Sequence, residues 1–209
     1  MLGRITIDTV RPATPSADFP AKAVVGERIP VSADIFRDGH DLLAARVRWR
    51  RAGKSRWQEA PLTPLINDRW EGSLTATDTG RHEFVIEAWR DRFATWRHDV
   101  EIKAAAGDDL ELELEEGARI LESLAPQVPA RDRGRVVEAV AGLRRTACTL
   151  QVRLNAGLDD RVASLVSGVP DADVTSTPAR RLWVDRLRGG YGAWYELFPR
   201  SEGGFAGAA

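Results

Sequence analysis

Between Ala45 and Arg50 apolar and charged residues alternate without a break, with Ala45, Val47 and Trp49 on one side and Arg46, Arg48 and Arg50 on the other. A period of two marks a strand with one dry face and one wet face. The same alternation recurs where Trp96, His98, Val100 and Ile102 oppose Arg97, Asp99, Glu101 and Lys103. Around these stretches, runs rich in Val, Ile, Trp and Thr are separated by Gly, Pro, Asn and Asp, with turn sequences such as RDGHD and IND. The pattern predicts about seven antiparallel strands: KAVVG, IPVSADIF, LAARVRWRRA, RWQEAPL, RWEGSLT, RHEFVIEAWR and ATWRHDVEIKA.

After Gly107 the period changes. Leu110, Leu114, Ala118, Leu121 and Leu124 fall on one helical stripe, and Asp108 with Glu111 offers a capping box ahead of it. Leu110, Leu112 and Leu114 also alternate as in a strand, but the glutamates between them and the lack of β-branched residues favour helix. A second helix is expected from about Asp132 to Cys148, burying Val136, Val137, Val140, Leu143 and Ala147. TLQVRLNAG and DDRVASLVSG read as two shorter helices closed by glycine. STPARRLWVDRLRGG reads as a last helix, with a Ser/Thr cap, Pro178 in the first turn and Gly189 and Gly190 at its end. The expected fold class is α+β, an immunoglobulin-like or fibronectin-like antiparallel β-sandwich over residues 1–105 and then a small α-helical bundle over 106–190. Residues 191–209 stand apart as a tail.

Composition narrows the chemistry. A formal net charge of −1 gives no global pull toward nucleic acid or an anionic membrane. One cysteine, Cys148, excludes an intrachain disulfide, and its place on the apolar side of the expected helix suits a small buried hydrophobe better than a nucleophile. The start of the chain lacks the pattern of a signal peptide, and no run approaches the ~18 apolar residues of a membrane span, so a soluble, cytoplasmic protein is expected. His40, His82 and His98 are widely spaced, which argues against a zinc site, and no phosphate-binding or hydrolase motif occurs. No metal, cofactor or catalytic residue is expected. DDLELELEEG is acidic but lacks EF-hand spacing. RVRWRRAGKSRW interleaves cations with Trp49 and Trp57 as single-strand binders do, yet the alternation makes it an ordinary wet strand face, and no nucleic-acid partner is expected. Among the seven tryptophans, Trp49 and Trp96 fit a core, whereas Trp57, Trp70 and Trp89 are less constrained and are the candidates for stacking on sugar rings.

The tail holds the strongest signal. WYELFPRS reads as a short strand, apolar on both faces, which suits a parallel sheet covered by helices, such as the inside of a (β/α)8 barrel. WYELFPRSEGG resembles the first barrel strand of the α-amylase superfamily. With RITIDTVRP, PAKAVVGERIPVSADIFRDGHD, ATWRHDVEIKAAAGDDLELELEEGARILE and LWVDRLRGGYGAWYELFPRSEGG, the chain resembles the N-terminal region of the bacterial α-1,4-glucan:maltose-1-phosphate maltosyltransferases. The resemblance implies a parent enzyme that transfers maltosyl units from α-maltose 1-phosphate to an α-1,4-glucan with retention, in glycogen-like glucan synthesis. Its paired carboxylates belong to later barrel strands, so this chain alone is expected to be inactive. The resemblance further implies that residues 191–209 begin a cut-off barrel in which Trp194, Tyr195, Leu197 and Phe198 would pack, that the remainder of the catalytic domain is a partner, and that the region helps build a homodimer. Left without a barrel, those side chains favour self-association. The alternative is a stand-alone α-glucan-binding module.

Overall fold

A computed structural model describes residues 5–16, 18–170, 173–191 and 196–208. Seven strands come first: β1 (Ile5–Arg11), β2 (Ala21–Val24), β3 (Arg28–Arg37), β4 (Leu43–Arg51), β5 (Gln58–Pro64), β6 (Arg69–Thr75) and β7 (Gly80–Arg90). Helices α1 (Arg92–Ala106), α2 (Glu111–Leu124), α3 (Ala130–Leu143), α4 (Leu150–Gly157) and α5 (Asp160–Val166) follow, and the chain then returns to the sheet as β8 (Thr175–Ser176) and β9 (Arg180–Asp185). The fold class is α+β.

The sheet runs in the order β1-β3-β6-β5-β4-β7-β9-β2, with β8 on β7. All pairings are antiparallel except β2 with β9. Although β1 lies at one end of this order, it touches β7 and β8 near the other, so the sheet curls around its own apolar face. The alternation read from the sequence supplies that face: Val31, Ala33 and Ile35 from β3, Val47 and Trp49 from β4, Phe84, Ile86 and Ala88 from β7, Leu182 and Val184 from β9. The turn between β5 and β6 places Asn67 and Asp68 in the left-handed region, at φ 56° and 58°, residue types that tolerate it. In β6, a Cβ on Gly72 would come within 2.8 Å of the Pro61 carbonyl oxygen, so only glycine lets β5 approach there.

A second core lies among the helices, and Trp96 is its hub. Its Nε1 donates to the Glu113 carbonyl at 2.6 Å, and its ring rests directly on Gly117 of α2 and Gly157 of α4. Arg153 of α4 is buried, donating from Nε to the Leu143 carbonyl at 2.9 Å and from both terminal nitrogens to the Glu111 carboxylate at 2.6 and 3.1 Å. It satisfies an orphan carbonyl at the end of α3 and ties it to the start of α2.

Three expected elements are corrected. Residues 94–104 form most of α1 rather than a strand: Asp91 caps the helix, its Oδ1 accepting from the Ala94 N–H at 2.8 Å, and Gly107 ends it at φ 79°. The residues α1 buries are Phe93, Trp96 and Val100, a helical stripe, while His98 and Ile102 face solvent. In place of a helix over residues 176–190, the chain forms the end of β8, then β9 and a short 3-10 turn over Leu187–Tyr191, because Leu182 and Val184 fill the gap between β7 and β2, and Thr177 accepts from the Ile86 N–H through Oγ1 at 3.0 Å. The helix expected to reach Cys148 stops at Leu143, and Arg144 pairs with Glu115 and Glu122 of α2, each at 3.0 Å; Ala147 lies beyond the helix and is exposed, while within α3 the buried stripe is Val136, Ala139 and Leu143, so Val137 faces solvent and Val140 is half-buried. The strand β1 is not among those the pattern predicts. The N-cap of α2 is Leu110, whose side chain makes no capping bond; the Glu111 N–H is bonded by Asp109 Oδ1 at 3.2 Å, and Asp108 does not form the expected capping box.

Candidate functional site

The outward-facing residues of β4, β5 and β7 form an ordered polar surface. Because the strands pair antiparallel in register, Arg46 lies opposite Glu87 and Arg50 opposite Glu83, while Arg48 lies opposite Glu59 of β5. Glu87 bridges two guanidiniums, accepting from Arg46 Nε and Arg48 Nη1 at 2.8 Å each. Arg50 Nε donates to Glu83 at 2.6 Å, and Glu59 takes a further contact from Arg46 at 3.2 Å. Burial alone would raise the pKa of Glu87, but the guanidiniums of Arg48 and Arg46 outweigh it and hold the carboxyl below its ordinary value.

Indoles flank this ladder. Trp57, half-buried just ahead of β5, has the guanidinium carbons of Arg50 and Arg48 at 4.3 and 5.3 Å from its ring centre. At the other end Arg46 stands 5.4 Å from the ring centre of Trp89. A cleft of about 400 Å³ opens beside Arg46, lined by Glu59, Pro61, Trp89 and the small residues Ser164, Ser167 and Gly168 around the end of α5. Its size and its mixture of hydroxyls and carboxylate suit a small polar ligand group.

Of the residues expected to stack on sugars, only Trp57 reaches the surface appreciably. Trp70 is 6% exposed with its Nε1 donating to the Ile35 carbonyl at 3.2 Å, and Trp89 is 1% exposed, so neither offers a ring face to solvent. Trp183 was missed: the helix expected over its segment gave it no defined side, whereas in β9 it points away from Leu182 and Val184 and is 38% exposed. Trp49 and Trp96 lie in the two cores. His82 is buried with Nδ1 3.3 Å from the Gly80 carbonyl, and His40 and His98 are exposed. Cys148 is half-buried in the turn between α3 and α4, not on a helix face. Trp194 and Tyr195 lie outside the described residues. Leu197 and Phe198 are exposed, and residues 196–198 are irregular with no strand pairing, where a strand was expected. Among the described residues no group of three or more His, Cys, Asp or Glu could hold a metal ion, and no helix is long and apolar enough to cross a membrane.

The chain is a β-rich module, a curled and largely antiparallel sheet with an inserted group of helices, whose outer side carries an arginine–carboxylate ladder flanked by indoles. The particular family follows from comparison. Residues 3–186 match the family model described as alpha-1,4-glucan:maltose-1-phosphate maltosyltransferase, domain N/S, and the chain belongs to that family. Over 210 residues it is 44% identical to alpha-1,4-glucan:maltose-1-phosphate maltosyltransferase 1 of Streptomyces coelicolor, covering 97% of this chain and 31% of that protein. The Myxococcus xanthus protein of the same name is 40% identical, with 96% and 31% covered. This chain therefore spans about a third of the length of these relatives and corresponds to their N-terminal region.

Proposed function

We propose that the chain is the non-catalytic N-terminal region of a cytoplasmic maltosyltransferase that moves maltosyl units from α-maltose 1-phosphate to an α-1,4-glucan, and that it supplies scaffold and part of a homodimer interface. The observation that carries this reading is the match of residues 3–186 to the N/S domain of the family, in relatives about three times as long. In this reading the curled sheet is an immunoglobulin-like sandwich and the helices a compact bundle. The division into two cores supports treating them as separate packing units. The segment after β9 leads toward the remainder of the enzyme. Tyr191 at 82% and Phe198 at 76% exposure support this, because aromatic side chains left in water gain from being covered.

Two measurements on the isolated chain test the proposal. Incubation with α-maltose 1-phosphate and maltohexaose should release no phosphate, and sedimentation velocity should show a concentration-dependent dimer. Phosphate release by the chain alone, or a monomer across the soluble range, contradicts it.

A further inference from the structure

We propose that the outward face of β5, β4, β7, β9 and β2 holds a stretch of α-1,4-glucan, with Trp57 and Trp183 as stacking platforms at its two ends. The choice of polymer rests on the maltosyltransferase reading; the face itself is read from register. One row runs Arg50, Glu83, Arg181 and a second runs Arg46, Glu87, Ser176, each residue opposite the next on the neighbouring strand. Trp183 lies between Arg81 of β7 and Lys22 of β2. With strands spaced ~4.8 Å apart, Trp57 and Trp183 stand roughly 15 Å from each other across β4 and β7, a span of several pyranose rings. Between them the half-buried Arg48, Arg50 and Glu83 present groups fixed in direction, while Glu87 is itself buried and holds Arg46 and Arg48 in place; the cleft beside Arg46 continues the face with the hydroxyls of Ser164 and Ser167.

The chemistry of that surface selects its occupant. A pyranose presents apolar C–H bonds on its ring faces and adjacent hydroxyl pairs at its edge; indoles accept the first, and fixed guanidinium–carboxylate pairs bond the second. A polyanion would need an uncompensated cationic field; along β4 the cations are instead matched, Arg46 and Arg48 closing on Glu87 and Arg50 on Glu83. The centre of a protein interface is depleted in charge, while this face sets Arg48, Arg50, Glu83 and Arg181 between its two indoles, with Val85 of β7 opposite Arg48. A neutral polyol fits best, and the α-1,4-glucan named in the family is the one at hand.

Native electrophoresis of the 209-residue chain in gels cast with glycogen, and in control gels cast with dextran, tests this. The chain should be retarded by glycogen and not by dextran. Trp57→Ala and Trp183→Ala should each weaken retention roughly tenfold. Trp183→Phe, which keeps a ring on the same strand, should retain most of it, and circular dichroism checks that each variant is folded. No retardation of the parent chain, equal retardation by dextran, or retention unchanged in both alanine variants overturns the inference. So does an effect of the indoles confined to self-association. None of these results bears on the scaffold reading, which is judged by transfer activity.

Discussion

Replacing Gly117 by alanine is a small change with a large expected effect. A Cβ at this position would approach within 2.9 Å of Trp96 Cη2 and closer still to Cζ2 and Cε2. The indole cannot retreat freely, since a Cβ on Gly157 would lie 2.8 Å from the same ring, which shows how closely α4 backs it. Overpacking of this kind costs about 1–3 kcal/mol. A shifted ring also loses its 2.6 Å bond to the Glu113 carbonyl, a further ~1 kcal/mol. Against this, alanine gains about 1 kcal/mol over glycine inside a helix. The net effect is a destabilisation of roughly 1–3 kcal/mol, a fall of about 1 M in the urea midpoint for a slope near 2 kcal/mol/M. Gly134, exposed in α3 with open space within 4 Å of where a Cβ would sit, undergoes the same chemical change without the clash, and Gly134→Ala should raise stability by ~0.5–1 kcal/mol. Urea unfolding followed by circular dichroism measures both. If Gly117→Ala is neutral or stabilising while Gly134→Ala behaves as stated, the close packing of Trp96 on α2 is refuted.

Further outcomes follow from other contacts. Arg153→Leu should destabilise by about 2 kcal/mol in the same urea assay, because it strands the Leu143 carbonyl and cuts the tie from α4 to α2. Burial raises the pKa of Asp91 despite its bonds from the Ala94 and Phe93 N–H groups, so its charge opposes folding at neutral pH while its oxygen caps α1. Asp91→Asn should accordingly hold or gain stability at pH 7, whereas Asp91→Ala should lose ~1 kcal/mol, both read from thermal melts. The depressed pKa of Glu87 means that its stabilisation is complete above the ordinary carboxylate value of ~4.3 and is lost as pH falls through its lower folded value. Thermal melts of Glu87→Gln should therefore show lower stability at pH 7 and a shallower decline below pH ~4 than the parent chain.

Much of the fold can be read from the chain because burial follows period. The alternation of Ala45, Val47 and Trp49 identifies β4 and its dry face, and Leu114, Ala118 and Leu121 identify the buried stripe of α2. The errors arise where two periods coexist. Trp96 and Val100 fit both a strand and a helix, and the deciding facts, the Asp91 cap and the Phe93 partner, lie outside the alternating stretch. For β9 the local signals of helix start and stop were overridden by a vacancy in the sheet between β7 and β2, which only tertiary structure reveals. That error also hid Trp183. The exposure of Trp57 beside buried Trp70 and Trp89 depends on what each meets in the folded chain, Trp70 in β6 and Trp89 in β7 beside the end of α5, and composition cannot rank the three. The arginine ladder was legible as a wet face, but the register that gives each guanidinium its carboxylate was not.

The role of this region within a maltosyltransferase can be measured by exchange. Its counterpart in the Streptomyces coelicolor relative, 44% identical over 210 residues, can be deleted or replaced by this chain, with phosphate release from α-maltose 1-phosphate and sedimentation followed in parallel. The deletion should lose both dimerisation and transfer, and the replacement should restore both. Full transfer and an intact dimer in the deletion would contradict the account.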